Sequence, residues 1–209
     1  PENYMHHNYI TKSGLPVYEH VLGAVSGAWW HTNTCTDGTP NGYAIFTVKN
    51  NSVDNFVYKP VDLDENYQMR VYNGSQKYTG SKKLTYGWPE EYHGCFIADV
   101  FNDDAENWKV EFIQNGVATP MTRVTKKLRD WCMFAYFINE NGRSPKNTAY
   151  HTGKLHYWTL PAPSGNPADE KNWEIRATYT VPTSGKVNVY TVNSLQTDFT
   201  GFPATLADE

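Results

Sequence analysis

The sequence contains little charge and no long apolar run. Charged residues make up 19% of the 209-residue chain, below the roughly one quarter that is usual. The 18 lysines and arginines are outnumbered by 22 acidic residues, and no basic run is longer than two residues. We therefore do not expect a nucleic-acid-binding protein that relies on phosphate contacts. No apolar stretch approaches the ~20 residues of a transmembrane helix, so no transmembrane segment is expected.

Cysteine is also scarce. The three cysteines, Cys35, Cys95 and Cys132, are odd in number and widely spaced, which fits neither a dense disulfide framework nor a C-x-x-C metal knuckle. The sequence leaves open whether two of them form a disulfide, and which two. The first residue is proline and no signal-peptide pattern follows it. We therefore expect the chain to be part of a longer polypeptide.

Aromatic residues, in contrast, are abundant. They make up 15% of the chain, which favours β-sheet over helix. Short runs of Val, Ile, Thr and aromatic residues alternate with turn residues about every ten positions, as is typical of antiparallel sheets. The predicted strands are Val17–Val21, Ala24–His31, Gly42–Lys49, Asn55–Val61, Gln68–Tyr72, Cys95–Phe101, Trp108–Gln114, Val117–Arg123, Lys154–Leu160, Trp173–Val181 and Lys186–Val192. Hairpin turns are predicted at Asn115-Gly116 and Pro182–Gly185.

One stretch has helical periodicity. Apolar residues recur at helical spacing from Leu128 to Ile138, and Asn141-Gly142 is a stop signal. The polar segments Asn73–Lys83 and Pro161–Pro167 are predicted to be surface loops. We therefore predict a mainly β fold, an antiparallel β-sandwich with one short helix and long surface loops.

The sequence has no complete catalytic or metal-binding motif. The spacing of the seven histidines does not place two or three of them on one face of a rigid element. Segment Asp62–Asn66 resembles the start of a calcium loop, but Tyr67 and Asn73 occupy positions that require glycine and a carboxylate. The surroundings of Ser26 lack the G-x-S-x-G order of a nucleophile elbow. We accordingly assign no catalytic residue and no metal ligand to the chain.

Tryptophans are the residues that would form a sugar-binding platform. A ring face packs well against the apolar face of a pyranose, and Trp29-Trp30 places one ring on each side of its predicted strand. Trp88 and Trp158 are further candidates for exposed positions. For any single tryptophan, a place in the core is the favoured interpretation. A carbohydrate- or surface-binding β-sandwich module is therefore the alternative function.

Several motifs resemble one family in their order and spacing. The most specific are Gly23–Trp30, which contains G-A-x-x-G-A-W-W, and Asp37–Tyr43, which contains D-G-T-P-x-G-Y. Weaker matches are Tyr18–His20, Tyr58-Lys59, Gln68–Tyr72, Ala98–Asn102, Trp108–Glu111, Met121–Arg123, His156–Trp158 and Ala177-Thr178. On these motifs the chain resembles the C-terminal module of the bacterial calcineurin-like metallophosphoesterases common in gut Bacteroidetes. The resemblance covers almost the whole chain.

The resemblance implies a division of labour within a longer protein. A central catalytic domain would bind two divalent metal ions and cleave the phosphoester, whereas this chain would be inactive alone and bind no cofactor. Residues 1–60 would be the terminal strands of the catalytic domain, or the linker from it, and residues 61–209 a C-terminal β-sandwich module. The chain would brace the catalytic domain of the same polypeptide. Candidates for contact with a ligand or the rim of the active site are His20, Trp29, Trp30, Asp37 and Tyr43.

The resemblance also bears on location and on the cysteines. Relatives of this kind are periplasmic or extracellular, and a glycan is the other partner that an appended module of this type would bind. The family often carries cysteine at the position of Ser26, so the serine here removes a neighbour with which Cys35 would form a disulfide.

Overall fold

The computed structural model describes residues 4–27, 34–35, 37–79, 83, 85–141 and 156–199. These residues form β-strands and one α-helix, with short 3-10 turns at Glu90–Tyr92 and Pro167–Asp169. In chain order the elements are β1 (Tyr4–Ile10), β2 (Pro16–Val21), β3 (Gly42–Lys49), β4 (Ser52–Pro60), β5 (Met69–Asn73), β6 (Lys77–Thr79), β7 (Thr85–Gly87), β8 (Cys95–Val100), β9 (Trp108–Gln114), β10 (Val117–Pro120), β11 (Thr122–Arg123), α1 (Trp131–Asn141), β12 (Tyr157–Pro161), β13 (Trp173–Thr180) and β14 (Val187–Val192).

Two four-stranded antiparallel sheets form the centre of the fold. One has the strand order β10-β9-β13-β14 and the other the order β11-β12-β8-β5. Both sheets contribute to one hydrophobic cluster, in which the rings of Phe96 on β8 and Phe112 on β9 lie 5.0 Å apart. Ile175 and Ala177 of β13 belong to the same cluster. The fold is therefore mainly β and antiparallel, as predicted, and its two sheets pack as a β-sandwich.

The sheet that contains β8 is buried on both faces. Successive side chains of a strand point to opposite faces, so Phe96 and Ala98 face the sandwich core while Ile97 faces the other way. Ile97 joins a second hydrophobic cluster with Tyr72, Tyr157 and the first turns of α1. The hairpin β6–β7 also contacts α1. The helix and this hairpin thus form a third layer on the outside of one sheet.

Two further antiparallel hairpins, β1–β2 and β3–β4, come from the N-terminal part of the chain. Phe56 and Tyr58 of β4 belong to the sandwich core. On the opposite face of the hairpin, Tyr43 and Ile45 of β3 are exposed. The division of the chain between residues 60 and 61 stays a prediction.

Several strand predictions are confirmed closely. β3 and β9 have the predicted bounds. The turn between β9 and β10 consists of Asn115 and Gly116, whose φ angles are 51° and 79°. Positive φ at both positions is what a two-residue type I′ hairpin turn requires. Helix α1 begins three residues later than the predicted apolar stretch and ends at Asn141, as the stop signal predicted.

Three predictions of local structure are wrong. The predicted strand Ala24–His31 begins with a turn, in which the Gly27 amide donates to the Ala24 carbonyl at 2.9 Å; its later residues lie outside the described ones. The predicted loop Asn73–Lys83 contains β6, because Tyr78 pairs with Tyr86 and is buried in the second cluster. The predicted strand Val117–Arg123 is divided, because β10 and β11 belong to different sheets.

All three cysteines are free thiols, and Cys35 and Cys132 are buried. Burial, together with the nearby charge of Asp37, raises the pKa of the Cys35 thiol to about 12. The thiol is therefore protonated at neutral pH. Among the described residues, no helix has the length and apolar character needed to cross a membrane.

Candidate functional site

A row of three polar side chains crosses the sheet on the face that α1 covers. Arg70 on β5 is the cross-strand partner of Asp99 on β8, and Asp99 is the partner of Tyr157 on β12. Directly opposed residues of neighbouring strands share a face of the sheet. Arg70 is 2% exposed, and Asp99 and Tyr157 are 0% exposed. The sheet register therefore places a guanidinium beside a carboxyl group inside the domain.

Asp130 joins this row from the residue before α1. Its Oδ1 accepts the Met133 amide at 2.8 Å, and its backbone carbonyl accepts the Phe134 amide at 3.0 Å. This is the geometry of a helix N-cap. The Tyr72 hydroxyl donates to Asp130 Oδ2, and the carboxyl of Asp99 lies close to that of Asp130, since the Oδ2 atoms of both approach the same side of Gly38. We call Asp99 and Asp130 the carboxyl pair.

The turn Asp37–Pro40, from the D-G-T-P motif, lies against the carboxyl pair. Asp37 Oδ1 accepts the Thr39 amide at 2.9 Å, and the Cys35 amide donates to the Thr39 carbonyl at 2.7 Å. Arg70 donates through its Nη1 to the Gly38 carbonyl. Polar side chains of the sheet therefore hold a turn that belongs to the N-terminal part of the chain.

Gly38 is required at the centre of this turn. Its φ is +93°, which L side chains rarely adopt. A Cβ at this position would lie 2.5 Å from Asp130 Oδ2 and 2.9 Å from Asp99 Oδ2. The glycine of the D-G-T-P motif thus allows the backbone to touch both members of the carboxyl pair.

His156 lies between the turn and the sheet. Its Nε2 is 3.8 Å from Asp37 Oδ2, and its Nδ1 is 3.7 Å from Asp99 Oδ1. The residue is 6% exposed and directly precedes β12. An imidazole at this place faces one carboxyl group of the turn and one of the sheet.

Burial dominates the ionisation of these groups. It raises the pKa of Asp99 well above the usual range, and the neighbouring carboxyl of Asp130 raises it further. Burial also raises the pKa of Asp130, while Arg70 and the hydrogen bonds to its carboxylate act in the opposite direction. The pKa values of Tyr72 and Tyr157 are raised by burial as well, so both phenols are protonated at neutral pH. The Arg70 guanidinium remains charged.

This cluster is closed to solvent, which limits its chemistry. Asp37 and Asp99 are 0% exposed, Asp130 is 1% exposed, and a guanidinium lies among their carboxyl groups. Among the described residues, no set of three or more His, Cys, Asp or Glu side chains is placed to hold a metal ion. These residues therefore do not fit a dinuclear metal centre. What the arrangement does is fix the Asp37–Pro40 turn to the sheet and to the start of α1.

The residues predicted as contacts lie in different surroundings. Asp37 is inside the cluster, and Tyr43 is 48% exposed on the outer face of β3. His20 on β2 is half-buried. Trp29 and Trp30 lie outside the described residues. Contact of these five residues with a ligand or an active-site rim stays a prediction.

His20 joins the N-terminal hairpins to the sandwich. Its ring centroid lies 5.3 Å from that of Phe46 and 4.8 Å from that of Phe56. Phe56 in turn lies 5.9 Å from Tyr179 on β13. Burial lowers the pKa of His20, although the charge of Asp104 opposes this. The histidine acts here as a packed aromatic ring, in line with a structural role.

The described tryptophans do not form an exposed platform. Trp88, Trp108 and Trp158 are 3%, 7% and 9% exposed, and Trp131 and Trp173 are partly buried. The expectation that Trp88 and Trp158 are exposed is wrong, and the core interpretation is confirmed for both. Trp158 directs its indole N–H inward to Asp103 Oδ1 at 3.1 Å. Among the described residues, nothing favours carbohydrate binding.

Sequence reasoning assigned no role to Arg70, Asp99, Asp130 or His156. One signal was present, because Arg70 and Asp99 each interrupt a short apolar strand. Charged residues are almost never fully buried unless they are paired, so two such interruptions indicate a buried ionic contact. The contribution of Asp130 depends on the packing of α1, which local sequence does not specify.

Comparison with known proteins gives one match. A family model described as the C terminal of calcineurin-like phosphoesterase matches residues 19–182. The matched segment contains the turn Asp37–Pro40, the carboxyl pair, Arg70 and His156. A search of curated proteins and a search of solved structures found no significant match.

Proposed function

The chain belongs to the family of C-terminal domains of calcineurin-like phosphoesterases, and we propose that it is a non-catalytic domain that braces the catalytic domain of the same polypeptide. In this proposal the catalytic domain carries the two divalent metal ions and performs the hydrolysis. The closed cluster around the Asp37–Pro40 turn supports this division, because its charged groups are inaccessible to a substrate. The activity would therefore require both domains in one protein.

The distribution of exposed apolar side chains carries the proposal. Of the eleven large hydrophobic residues that are exposed in the described part of the chain, eight lie between Ile10 and Val48. They are Ile10, Leu15, Val17, Val25, Tyr43, Ile45, Phe46 and Val48. Such a concentration of apolar surface in one segment is typical of an interaction site.

The N-terminal hairpins also lack the support that the other strands have. β1–β2 and β3–β4 are separate two-stranded sheets, and a two-stranded hairpin is at best marginally stable in water without further packing. The inner face of β3–β4 packs on the sandwich core through Phe56 and Tyr58. The opposite face has no such cover among the described residues, and we propose that the catalytic domain covers it.

We define the outer hairpin face as Tyr43, Ile45 and Val57. Ile45 and Val57 are directly opposed across the hairpin, and Tyr43 follows on the same side of β3. Val57 lines a groove together with Val187 and Val189 of β14, whose side chains are 52% and 51% exposed. The groove is also lined by the polar residues Asn55, Glu65, Asn66 and Asn188. The apolar surface is therefore confined to the outer hairpin face and the exposed valines of β14. Burial of the outer hairpin face against the catalytic domain would stabilise both partners.

The second part of the proposal is that residues of this chain contact the rim of the active site. Tyr43 is exposed at the start of the outer hairpin face, so its phenol is available for contact with a bound phosphoester. We propose that Trp29, Trp30 and His20 supply further contacts to the rim. Asp37 is buried, so it would act by holding the turn that leads into β3 rather than by touching a substrate.

The experiment uses the full-length phosphoesterase that contains this chain. Ile45→Asp introduces a charge into the outer hairpin face, and Val117→Asp introduces the same charge on β10, where Val117 is 66% exposed. Differential scanning calorimetry measures the thermal unfolding of both domains. We expect Ile45→Asp to lower the unfolding temperature of the catalytic domain and to increase its cleavage by a protease, because the two domains separate.

Val117→Asp should leave the unfolding temperature of the catalytic domain unchanged. Equal behaviour of the two variants would contradict the bracing proposal. Circular dichroism of the variants verifies that the C-terminal domain itself remains folded.

We further propose that the protein acts in the periplasm or outside the cell, on the basis of the family resemblance alone. Fractionation of the native host with marker enzymes for each compartment tests this. Recovery of the protein with the cytoplasmic marker would contradict it.

A further inference from the structure

We propose that Asp99 and Asp130 share one proton, and that loss of this proton releases the turn Asp37–Pro40 from the sheet. The contact between this turn and the carboxyl pair, which we call the latch, would then depend on pH. The proposal rests on the geometry of the carboxyl pair and on the charges that surround it.

The two carboxyl groups lie close together inside the domain. Asp99 is 0% exposed and Asp130 is 1% exposed, and the Oδ2 atoms of both lie within 2.9 Å of the same Cβ position at Gly38. Two buried carboxylates so close together cannot both be ionised without a large electrostatic cost.

The surroundings assign the proton to Asp99. Asp130 accepts hydrogen bonds from the Met133 amide at the start of α1 and from the Tyr72 hydroxyl, and both donors stabilise its ionised form. Neither oxygen of Asp99 accepts a hydrogen bond from an amide, hydroxyl or other N–H donor among the described residues. Asp99 is therefore the acid and Asp130 the base of the pair.

The charges facing the pair come from every element that packs on it. The titratable groups are Asp37 on the turn, Arg70 and Tyr72 on β5, Cys132 on α1, and His156 and Tyr157 at β12. Of these, Arg70 is the one permanent cation. With Asp99 protonated, Arg70 faces the carboxylate of Asp130, and Asp37 lies on the other side of His156. Deprotonation would add a third carboxylate in a place without solvent, and an uncompensated buried charge is strongly destabilising.

The turn is the part that would move. β5, β8 and β12 are fixed to one another by the ladder of the sheet, and α1 is fixed by the second hydrophobic cluster. The turn, in contrast, presents the backbone of Gly38 to both Oδ2 atoms and carries the further negative charge of Asp37. Repulsion between the three carboxylates would therefore act against the hydrogen bonds that Arg70 and Tyr58 donate to the carbonyls of Gly38 and Pro40 in this turn.

The direction of the pH effect follows from the raised pKa of Asp99. The folded state holds a proton that the unfolded chain, with its ordinary carboxyl pKa, has already lost. The stabilisation is fully present below the ordinary carboxyl range and is lost as the pH rises through the raised pKa. The latch is thus closed in acid and opens toward alkaline pH.

Hydrogen–deuterium exchange in the full-length protein tests the latch. The Cys35 and Gly38 amides donate within this turn region, so their protection reports whether it is closed. After correction for intrinsic exchange, we expect their protection to fall with rising pH by up to about tenfold per pH unit. In Asp99→Asn a neutral amide replaces the protonated acid and cannot ionise, so the protection should become independent of pH. Asp62→Asn, at an exposed position, should behave like the wild type.

The same pH dependence in the wild type and in Asp99→Asn would overturn the proposal. If Asp99→Asn does not fold, NMR with ¹³C-labelled aspartate decides the matter. Asp103→Asn removes the other aspartate signal that is expected to titrate late. In that variant, one carboxyl signal that remains protonated above the ordinary carboxyl range supports the shared proton, and titration of all remaining aspartates within that range would contradict it.

Discussion

The sandwich and the N-terminal hairpins use similar residues in opposite ways. In β9 and β13, large apolar side chains such as Phe112 and Ile175 are 3% and 0% exposed. In β3, Phe46 is 42% exposed and Val48 is 63% exposed. Both regions are antiparallel and both are rich in aromatic and β-branched residues. The difference shows that the sandwich buries its own apolar side chains, whereas the hairpins leave much of theirs exposed; the bracing proposal assigns this exposed surface to the catalytic domain.

Truncation of an aromatic ring in each region gives the largest expected difference. Phe112→Ala removes a ring from the filled sandwich core, so we expect the free energy of unfolding to fall by about 3 to 5 kcal/mol. Phe46→Ala removes a ring that is already partly in water, so its effect on the isolated chain should be much smaller. Urea denaturation of both variants measures the difference. Equal losses would show that the hairpin is as tightly packed as the sandwich.

The substitution Gly38→Ala tests the contact between the N-terminal segment and the sandwich. In Gly38→Ala we expect the positive φ to cost about 1 to 2 kcal/mol, and the close contact with the carboxyl pair to cost about 1 to 3 kcal/mol more. Gly116 is the matched control, because its φ is +79° and its Cβ would meet nothing within 4 Å. A loss of stability in Gly116→Ala as large as in Gly38→Ala would show that backbone conformation alone is responsible.

A buried carboxyl group of the sandwich should make its stability depend on pH. Burial raises the pKa of Asp103 to about 7, although Arg123 Nε lies 2.6 Å from its carboxylate and opposes the shift. This contribution is fully present below the ordinary carboxyl pKa and is lost as the pH rises toward 7. The wild type should therefore lose stability relative to Asp103→Asn by at most about 1.4 kcal/mol per pH unit.

Urea denaturation at several pH values measures this difference. Asp54→Asn in the β3–β4 hairpin is the control for the substitution itself, since Asp54 is partly exposed and lies outside the sandwich. Parallel curves for Asp103→Asn and the wild type would contradict the assignment.

The smallest expected effect concerns the exposed phenol of the outer hairpin face. In the full-length enzyme, Tyr43→Ala should raise KM by a few-fold and leave kcat unchanged, because a rim residue contributes equally to substrate and transition-state binding. Trp30→Ala tests the same rim proposal. Steady-state kinetics with an aryl phosphoester measures both. Unchanged kinetics in both variants would remove the rim from the proposal.

Structure that depends on residues close together in the sequence could be predicted. In β13, Ile175, Ala177 and Tyr179 are buried and alternate with partly buried residues, as the pattern predicted. Asn115 and Gly116 predicted their turn for the same reason, because a type I′ turn requires residues that tolerate positive φ. β1 escaped prediction because the polar run His6–Asn8 stands in the middle of Tyr4–Ile10 and leaves no alternation of apolar and polar residues.

The candidate site depends on contacts that local patterns do not contain. Arg70, Asp99 and Asp130 are far apart in the sequence and meet because of strand register and the packing of α1. The D-G-T-P motif identifies Asp37 as a candidate functional residue. Its surroundings were not predicted, because an aspartate in a turn is usually solvated, whereas this one is enclosed by the sheet.

Strand β8 has a consequence for how the domain unfolds. It lies between β5 and β12, and its two faces contribute Phe96 and Ala98 to one hydrophobic cluster and Ile97 to the other. Loss of either layer would leave one face of the same strand uncovered. We therefore expect the helical layer and the sandwich to melt in a single cooperative transition, with the β8 amides exchanging only through global opening.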